Sequence, residues 1–269
     1  MATVAERPRG LRLAVVGKGG AGKSVVSGTL ARVLARRGHR VLALDSDTLP
    51  GIAWSIGAGV SEEDDVPLNS AAWRDEKGRW HLNKGVGPAR AVQRYATTAP
   101  DGVRLLQIGK NDRRGVGPNR ASHNAFWQIV QRLDEPSSLQ SWTFLGDLPA
   151  GARQAAYNWA PYARQFLLVV EPTYQSMMTA RRIARIMRTM RGDDVEISLV
   201  VNKAAADGDG ERVQEFLDVP LLAVVPVDEG VTTAERAGVA LLDLVPDSPV
   251  VRAIEGLADV LDAASIERI

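Results

Sequence analysis

Residues Gly17 to Ser24 read Gly-Lys-Gly-Gly-Ala-Gly-Lys-Ser and follow directly on the apolar run Leu11, Leu13, Ala14, Val15, Val16. The spacing Gly17-x-x-x-x-Gly22-Lys23-Ser24 is that of a phosphate-binding loop, placed where its physics requires: after a strand and before a helix. The glycines let consecutive backbone N–H groups turn inward and cradle a phosphate. The expected cradle comprises Gly17, Gly19, Gly20, Ala21, Gly22, Lys23, Ser24 and Val25. Lys23 is expected to neutralise the β/γ oxygens of a nucleotide, and the Ser24 hydroxyl to ligate Mg²⁺. A second lysine, Lys18, lies early in the loop, where it cannot easily reach the phosphates of its own nucleotide.

Hydrolysing ATP needs the phosphates held, Mg²⁺ held and a water oriented. Candidates for the last two stand at the ends of short apolar runs. Asp147 follows Trp142–Leu145 and is placed to hold Mg²⁺ through water, and Gly151 is placed to bring its backbone N–H against a γ-phosphate. Asp45 and Asp47 follow Val41–Leu44; Asp45 is assigned to the Mg²⁺ shell and Asp47 to positioning the attacking water.

Those positions require a scaffold of alternating elements. Apolar residues at helical spacing run from Val25 to Arg37 and stop at Gly38, a suitable helix-ending residue. Short buried strands are expected at 41–44, 103–108, 142–145, 166–170, 197–201 and 221–225. Helices are expected at 126–133, 177–190, 212–217 and 250–264. The alternation predicts a single α/β domain over 1–269: a mainly parallel sheet with helices on both faces. Residues 1–10 read as a flexible tail, and about 57–88 as a surface excursion with a small hairpin near Arg79–Leu82.

Composition narrows the chemistry. A chain of 269 residues, 45% apolar, can bury a sizeable core, and its net charge of +1 announces neither a nucleic acid nor a membrane. With no cysteine, disulfides, iron–sulfur clusters, thiolate metal sites and thiol catalysis are excluded. His81 and His123 stand without paired ligand spacing. The N-terminus lacks the apolar core of a signal peptide, and no apolar stretch approaches a membrane span, so a cytoplasmic location without a membrane anchor is expected.

Lys18-Gly19-Gly20-Ala21-Gly22-Lys23-Ser24, Asp45-Ser46-Asp47 and Asp147-Leu148-Pro149-Ala150-Gly151 together resemble the MinD/ParA family of dimerising P-loop ATPases. The resemblance runs from Leu11 to about Leu242. It implies that Lys18 reaches across a homodimer interface to the partner's ATP, with ATP closing the dimer and a slow, partner-stimulated hydrolysis to ADP reopening it. It also assigns adenine contacts to Asn202 and Lys203 and to Pro226, Val227 and Asp228. Within the family, Leu106–Lys110 and Gly115–Asn119 are similar to the CooC-like ATPases that help insert nickel into carbon monoxide dehydrogenase. Gly115 and Gly117 stand where that subfamily carries a metal-binding Cys-x-Cys pair, so a soft-metal site at the interface is not carried over.

Three readings of the output follow. The first is an ATP-gated dimer that matures or remodels an unidentified client enzyme. The second is a positioning protein that binds DNA through Arg181, Arg182, Arg185 and Arg188, within a stretch from Met177 to Gly192 that holds no acidic residue. The third is an ATP-dependent ligase or synthase on the same fold. Arg113, Arg114 and Arg120 form a second basic group, and Trp54, Trp73 and Trp80 are candidates for a docking patch or for packing.

Overall fold

The computed structural model describes residues 10–47, 51–59, 67–109, 120–192 and 195–266. Ten strands appear among them: β1 (Arg12–Gly17), β2 (Val41–Asp45), β3 (Ala72–Arg74), β4 (Trp80–Leu82), β5 (Thr97–Thr98), β6 (Arg104–Gln107), β7 (Thr143–Asp147), β8 (Gln165–Val170), β9 (Glu196–Ala204) and β10 (Leu221–Pro226). The helices are α1 (Lys23–Arg36), α2 (Ile52–Ile56), α3 (Pro88–Tyr95), α4 (Arg120–Val130), α5 (Arg153–Ala156), α6 (Tyr174–Arg191), α7 (Asp209–Leu217), α8 (Glu229–Ala237), α9 (Leu241–Leu244) and α10 (Pro249–Ile266).

Eight strands form one sheet in the order β10-β9-β8-β1-β7-β2-β6-β5, parallel except for the short edge strand β5. The predicted architecture is therefore the observed one. Strands buried on both faces alternate their side chains between two cores. Ala14 and Val16 of β1 pack with Phe126, Ile129, Ala180, Ile183 and Met187 of α4 and α6. Leu13 and Val15 pack on the opposite face with Leu30, Leu34, Ile254 and Leu257 of α1 and α10.

Several elements escape the periodicity. Helices α2, α5 and α9 are too short to show a repeat, and α8 buries little beyond Ala234. The 57–88 stretch does hold a hairpin, β3 against β4, but it also inserts Leu68, Ala71 and Val86 into the core beside α4. It is thus more than a surface excursion. On the other face, Arg32 of α1 is buried and grips both carboxylate oxygens of Asp243 at 2.6 and 2.7 Å and Asp101 at 2.6 Å. A guanidinium this buried is stable only with such partners.

Candidate functional site

All the acid groups nominated by the sequence lie at the C-terminal edge of the sheet, where open α/β sheets place ligands. The loop from β1 to α1 turns at Gly22, whose φ of +86° is left-handed and whose missing Cβ leaves room for the Asn202 side-chain amide. Helix α1 begins with no side-chain cap and no acidic residue in its first turn. Its first N–H donors and its positive dipole end are left for an anion.

Behind that turn, strand register sets the carboxylates in a row. Asp147 of β7 pairs with Val15 of β1 on one side and with Asp45 of β2 on the other. Neighbouring parallel strands lie about 4.8 Å apart with paired side chains on the same face, so both carboxylates share the α1 face. The Ser24 hydroxyl donates to Asp147 Oδ2 at 2.8 Å. Asp147 Oδ1 and Asp45 Oδ2 are buried without a partner among the described residues. Burial pushes the Asp147 carboxyl up to about 6, against the pull of the Ser24 hydroxyl and of Lys23. Burial, with Asp147 alongside, pushes Asp45 well above the ordinary range. Two buried orphan carboxylate oxygens beside a serine hydroxyl are the hard-oxygen donor set that suits Mg²⁺, which keeps its own waters and uses few protein ligands. Ser24, Asp147 and Asp45 fit such an ion.

Lys23 is half-buried, and its ammonium donates to the Lys18 carbonyl at 3.3 Å. Burial lowers its pKa, while Asp147 and Asp47 pull the other way. Asp47 sits half-buried at the mouth of the site, its N–H donated to Asp45 Oδ1 at 2.9 Å. Lys18 does not turn toward its own loop: its ammonium donates to Gln175 Oε1 on α6 at 3.1 Å. The Gly151 N–H, nominated as a phosphate contact, donates to the Gly17 carbonyl at the start of the phosphate loop at 3.0 Å. The end of β1 offers a carbonyl without a strand partner there, and the nearest donor takes it.

At the base end, Asn202 is 7% exposed and donates Nδ2 to the Ala21 carbonyl at 2.8 Å. Lys203 lines the same cleft as Asn202, its ammonium bridging the Gly20 carbonyl at 2.7 Å and Glu171 Oε1 at 2.6 Å. It braces the loop. Asp228 caps α8 by accepting from the Gly230 N–H at 2.8 Å. Pro226, Val227 and Asp228 share with Asn202, Lys23 and Ser24 a cleft of about 640 Å³, within the range of small-molecule sites.

Trp54, half exposed, forms the far wall of that cleft, and Gly51 comes close to Ser24. Neither was nominated from the sequence as a site residue. Their proximity in sequence to Asp47 was the available signal. Trp54 therefore belongs to a different surface from Trp73 and Trp80, which lie on the β3–β4 hairpin, Trp73 against His81. His81 also pairs with Asp75, and His123 packs edge-on against Trp159. Among the described residues no cluster of His, Asp or Glu suits a further metal, and no helix is long and apolar enough to cross a membrane. Gly115 and Gly117, Arg113 and Arg114, Glu62–Asp65 and the tail 1–9 lie outside the described residues. Arg181, Arg182 and Arg185 are exposed on α6, and Arg188 is half-buried.

Comparison with known proteins agrees with this geometry. Residues 13–242 match the CobQ/CobB/MinD/ParA nucleotide binding domain. The carbon monoxide dehydrogenase accessory protein CooC of Rhodospirillum rubrum is 26% identical over 267 residues, covering 96% of this chain and 97% of that protein. An uncharacterised ATP-binding protein of Methanocaldococcus jannaschii is 26% identical over 254 residues, covering 93% and 87%. The fold is similar to that of the cell division ATPase MinD of Pyrococcus furiosus, with a TM-score of 0.71 at 22% identity over 94% of this chain and 99% of that one. A ParA family ATPase from Chlorobium tepidum gives 0.68 at 15% identity, over 93% and 98%.

Proposed function

The chain belongs to the CobQ/CobB/MinD/ParA family of nucleotide-binding domains, and from that premise we propose that it is an ATP-hydrolysing switch that works as a nucleotide-gated homodimer. The observation that carries the reading is the buried row Ser24–Asp147–Asp45 beside the uncapped start of α1. A phosphate chain lies against the N–H groups of Gly19 to Val25, with Lys23 on its β/γ oxygens. Ser24 directly, with Asp147 and Asp45 through water, would hold Mg²⁺, which would supply charge neutralisation to the phosphates. Asp47 accepts a hydrogen bond from the attacking water and holds it in line with the γ-phosphorus. Asn202 Oδ1 and the 226–228 turn select adenine.

Lys18 supplies the dimer logic. Its ammonium leaves Gln175 for the phosphates of the partner's nucleotide, so closure depends on ATP in both subunits. Closing and opening then act on a client enzyme, and the similarity to a carbon monoxide dehydrogenase accessory protein makes metalloenzyme maturation the favoured output. The experiment is capture from native lysate with Asp47→Asn, which traps the ATP form, against Lys23→Ala as the empty control. Enrichment of one enzyme by the trapped form alone supports a client role. Capture of the same proteins by both forms contradicts it.

A second reading rests on the 18-residue helix α6, which presents Arg181, Arg182 and Arg185 without one acidic residue. Such a face matches a phosphate backbone. DNA affinity that requires ATP, falls with salt and disappears on replacing Arg181, Arg185 and Arg188 with alanine would select it.

A further inference from the structure

The peptide unit joining Ser46 to Asp47 is held from both of its ends. Its N–H, that of Asp47, donates to Asp45 Oδ1 at 2.9 Å. Its carbonyl, that of Ser46, accepts from Gln154 Nε2 at 3.1 Å. Ser46 is pinned a third time, its N–H and its hydroxyl both directed at the Asp147 carbonyl at 3.3 and 3.2 Å. Orienting a peptide plane fixes the backbone direction from which the next side chain departs. Gln154 therefore helps to set where the Asp47 carboxylate points.

Gln154 lies on α5, three residues beyond Gly151, whose N–H rests on the Gly17 carbonyl of the phosphate loop at 3.0 Å. Movement of the Gly151 turn on contact with a γ-phosphate would be transmitted through this short helix to the Ser46 carbonyl. The amide has no second anchor: Gln154 Oε1 is buried and unpartnered among the described residues. The Gln154–Ser46 hydrogen bond thus joins the Gly151 turn to the loop that carries Asp47.

We propose that Gln154 is the positioning residue for Asp47, orienting the Ser46–Asp47 peptide so that the carboxylate meets the attacking water only when the Gly151 turn is seated. The inference rests on the assignment of Asp47 to the water in ATP hydrolysis. Gln154→Glu keeps the side chain's size and removes the donor, replacing it with an oxygen that repels the Ser46 carbonyl. The expected result is kcat for ATP hydrolysis about tenfold lower, with KM for ATP and the melting temperature unchanged. Placed on Asp47→Asn, the same substitution is expected to add no further loss, because both residues act through one group.

Unchanged kcat in a folded Gln154→Glu protein overturns the proposal while leaving the Asp47 assignment intact. An equal loss on both backgrounds also overturns it. Should Asp47→Asn itself retain wild-type turnover, the assignment beneath the proposal fails, and the proposal with it. If Gln154→Glu unfolds, Gln154→Leu, which removes the donor without adding charge, is read by the same two criteria.

Discussion

The phosphate cradle and the outer face of α6 are both short stretches of chain rich in basic residues, yet the fold treats them in opposite ways. In the cradle every cation is tied down: Lys23 to the Lys18 carbonyl, Lys18 to Gln175, Lys203 to Gly20 and Glu171. Each contact is to an element distant in sequence or to the loop's own backbone, so the charges are held in place before any ligand arrives. On α6, Arg181, Arg182 and Arg185 stand in solvent, with only Arg181 resting on a ring, that of Phe216. Preorganised charge suits the chemistry of a small anion, which rewards fixed geometry. Solvent-exposed charge suits a large partner that supplies its own geometry on contact. The two regions touch at Gln175, the residue of the first turn of α6 that holds Lys18.

Substitutions in the cradle are expected to be far costlier than those on the helix. Lys23→Ala should weaken ATP binding by at least about 100-fold, since a buried charge-assisted contact is lost; titration calorimetry measures it. Asp47→Asn should leave binding intact and slow hydrolysis about 100-fold, the usual scale for losing a group that orients or deprotonates water. Steady-state phosphate release separates the two effects.

The buried carboxylates sharpen the contrast in the opposite direction. A carboxyl held at about 6 in the folded protein, above its ordinary value of 3.8, favours the protonated form. That contribution to stability is fully present below about pH 4 and is lost as pH rises through 6. In chelator, without nucleotide, the melting temperature should therefore fall from about pH 4 to pH 7, as Asp147 withdraws about 3 kcal/mol of stability over that range, somewhat under half of it above pH 5. Asp147→Asn should flatten that profile and raise the metal-free stability at pH 7, while abolishing Mg²⁺-dependent turnover. A metal-free protein that is more stable at pH 7 than at pH 5 through this residue would contradict the burial argument. The smallest effect is expected from replacing Arg181, Arg185 and Arg188 together. Stability should change by about 0.5 kcal/mol or less, as for other surface substitutions, and ATP affinity should not change.

The same contrast explains what was legible in the sequence. The sheet, the phosphate loop and the strand-end aspartates were readable because each is a local pattern whose chemistry dictates its neighbours: a strand must precede the loop, and a helix must follow it. Lys203 lines the cleft beside Asn202, where the family resemblance assigns it, and its long side chain also reaches Glu171, a partner no local pattern reveals. Gly151 stands on the turn after β7 where its spacing puts it, while the acceptor that its N–H finds there, the Gly17 carbonyl, is one no local pattern reveals. Gln154 and Gln175 left no signal because each acts through a contact made by the tertiary fold. Leu68 and Ala71 looked like part of a polar excursion, since two buried residues flanked by acidic and glycine-rich chain form no periodic pattern.

Light scattering of Asp47→Asn with Mg·ATP, alone and combined with Lys18→Ala, tests the central claim most directly. The account predicts twice the chain mass of 29.0 kDa for the single variant, and one chain mass with ATP still bound for the double variant. A double variant that dimerises as tightly as the single one would contradict the role of Lys18 across the interface.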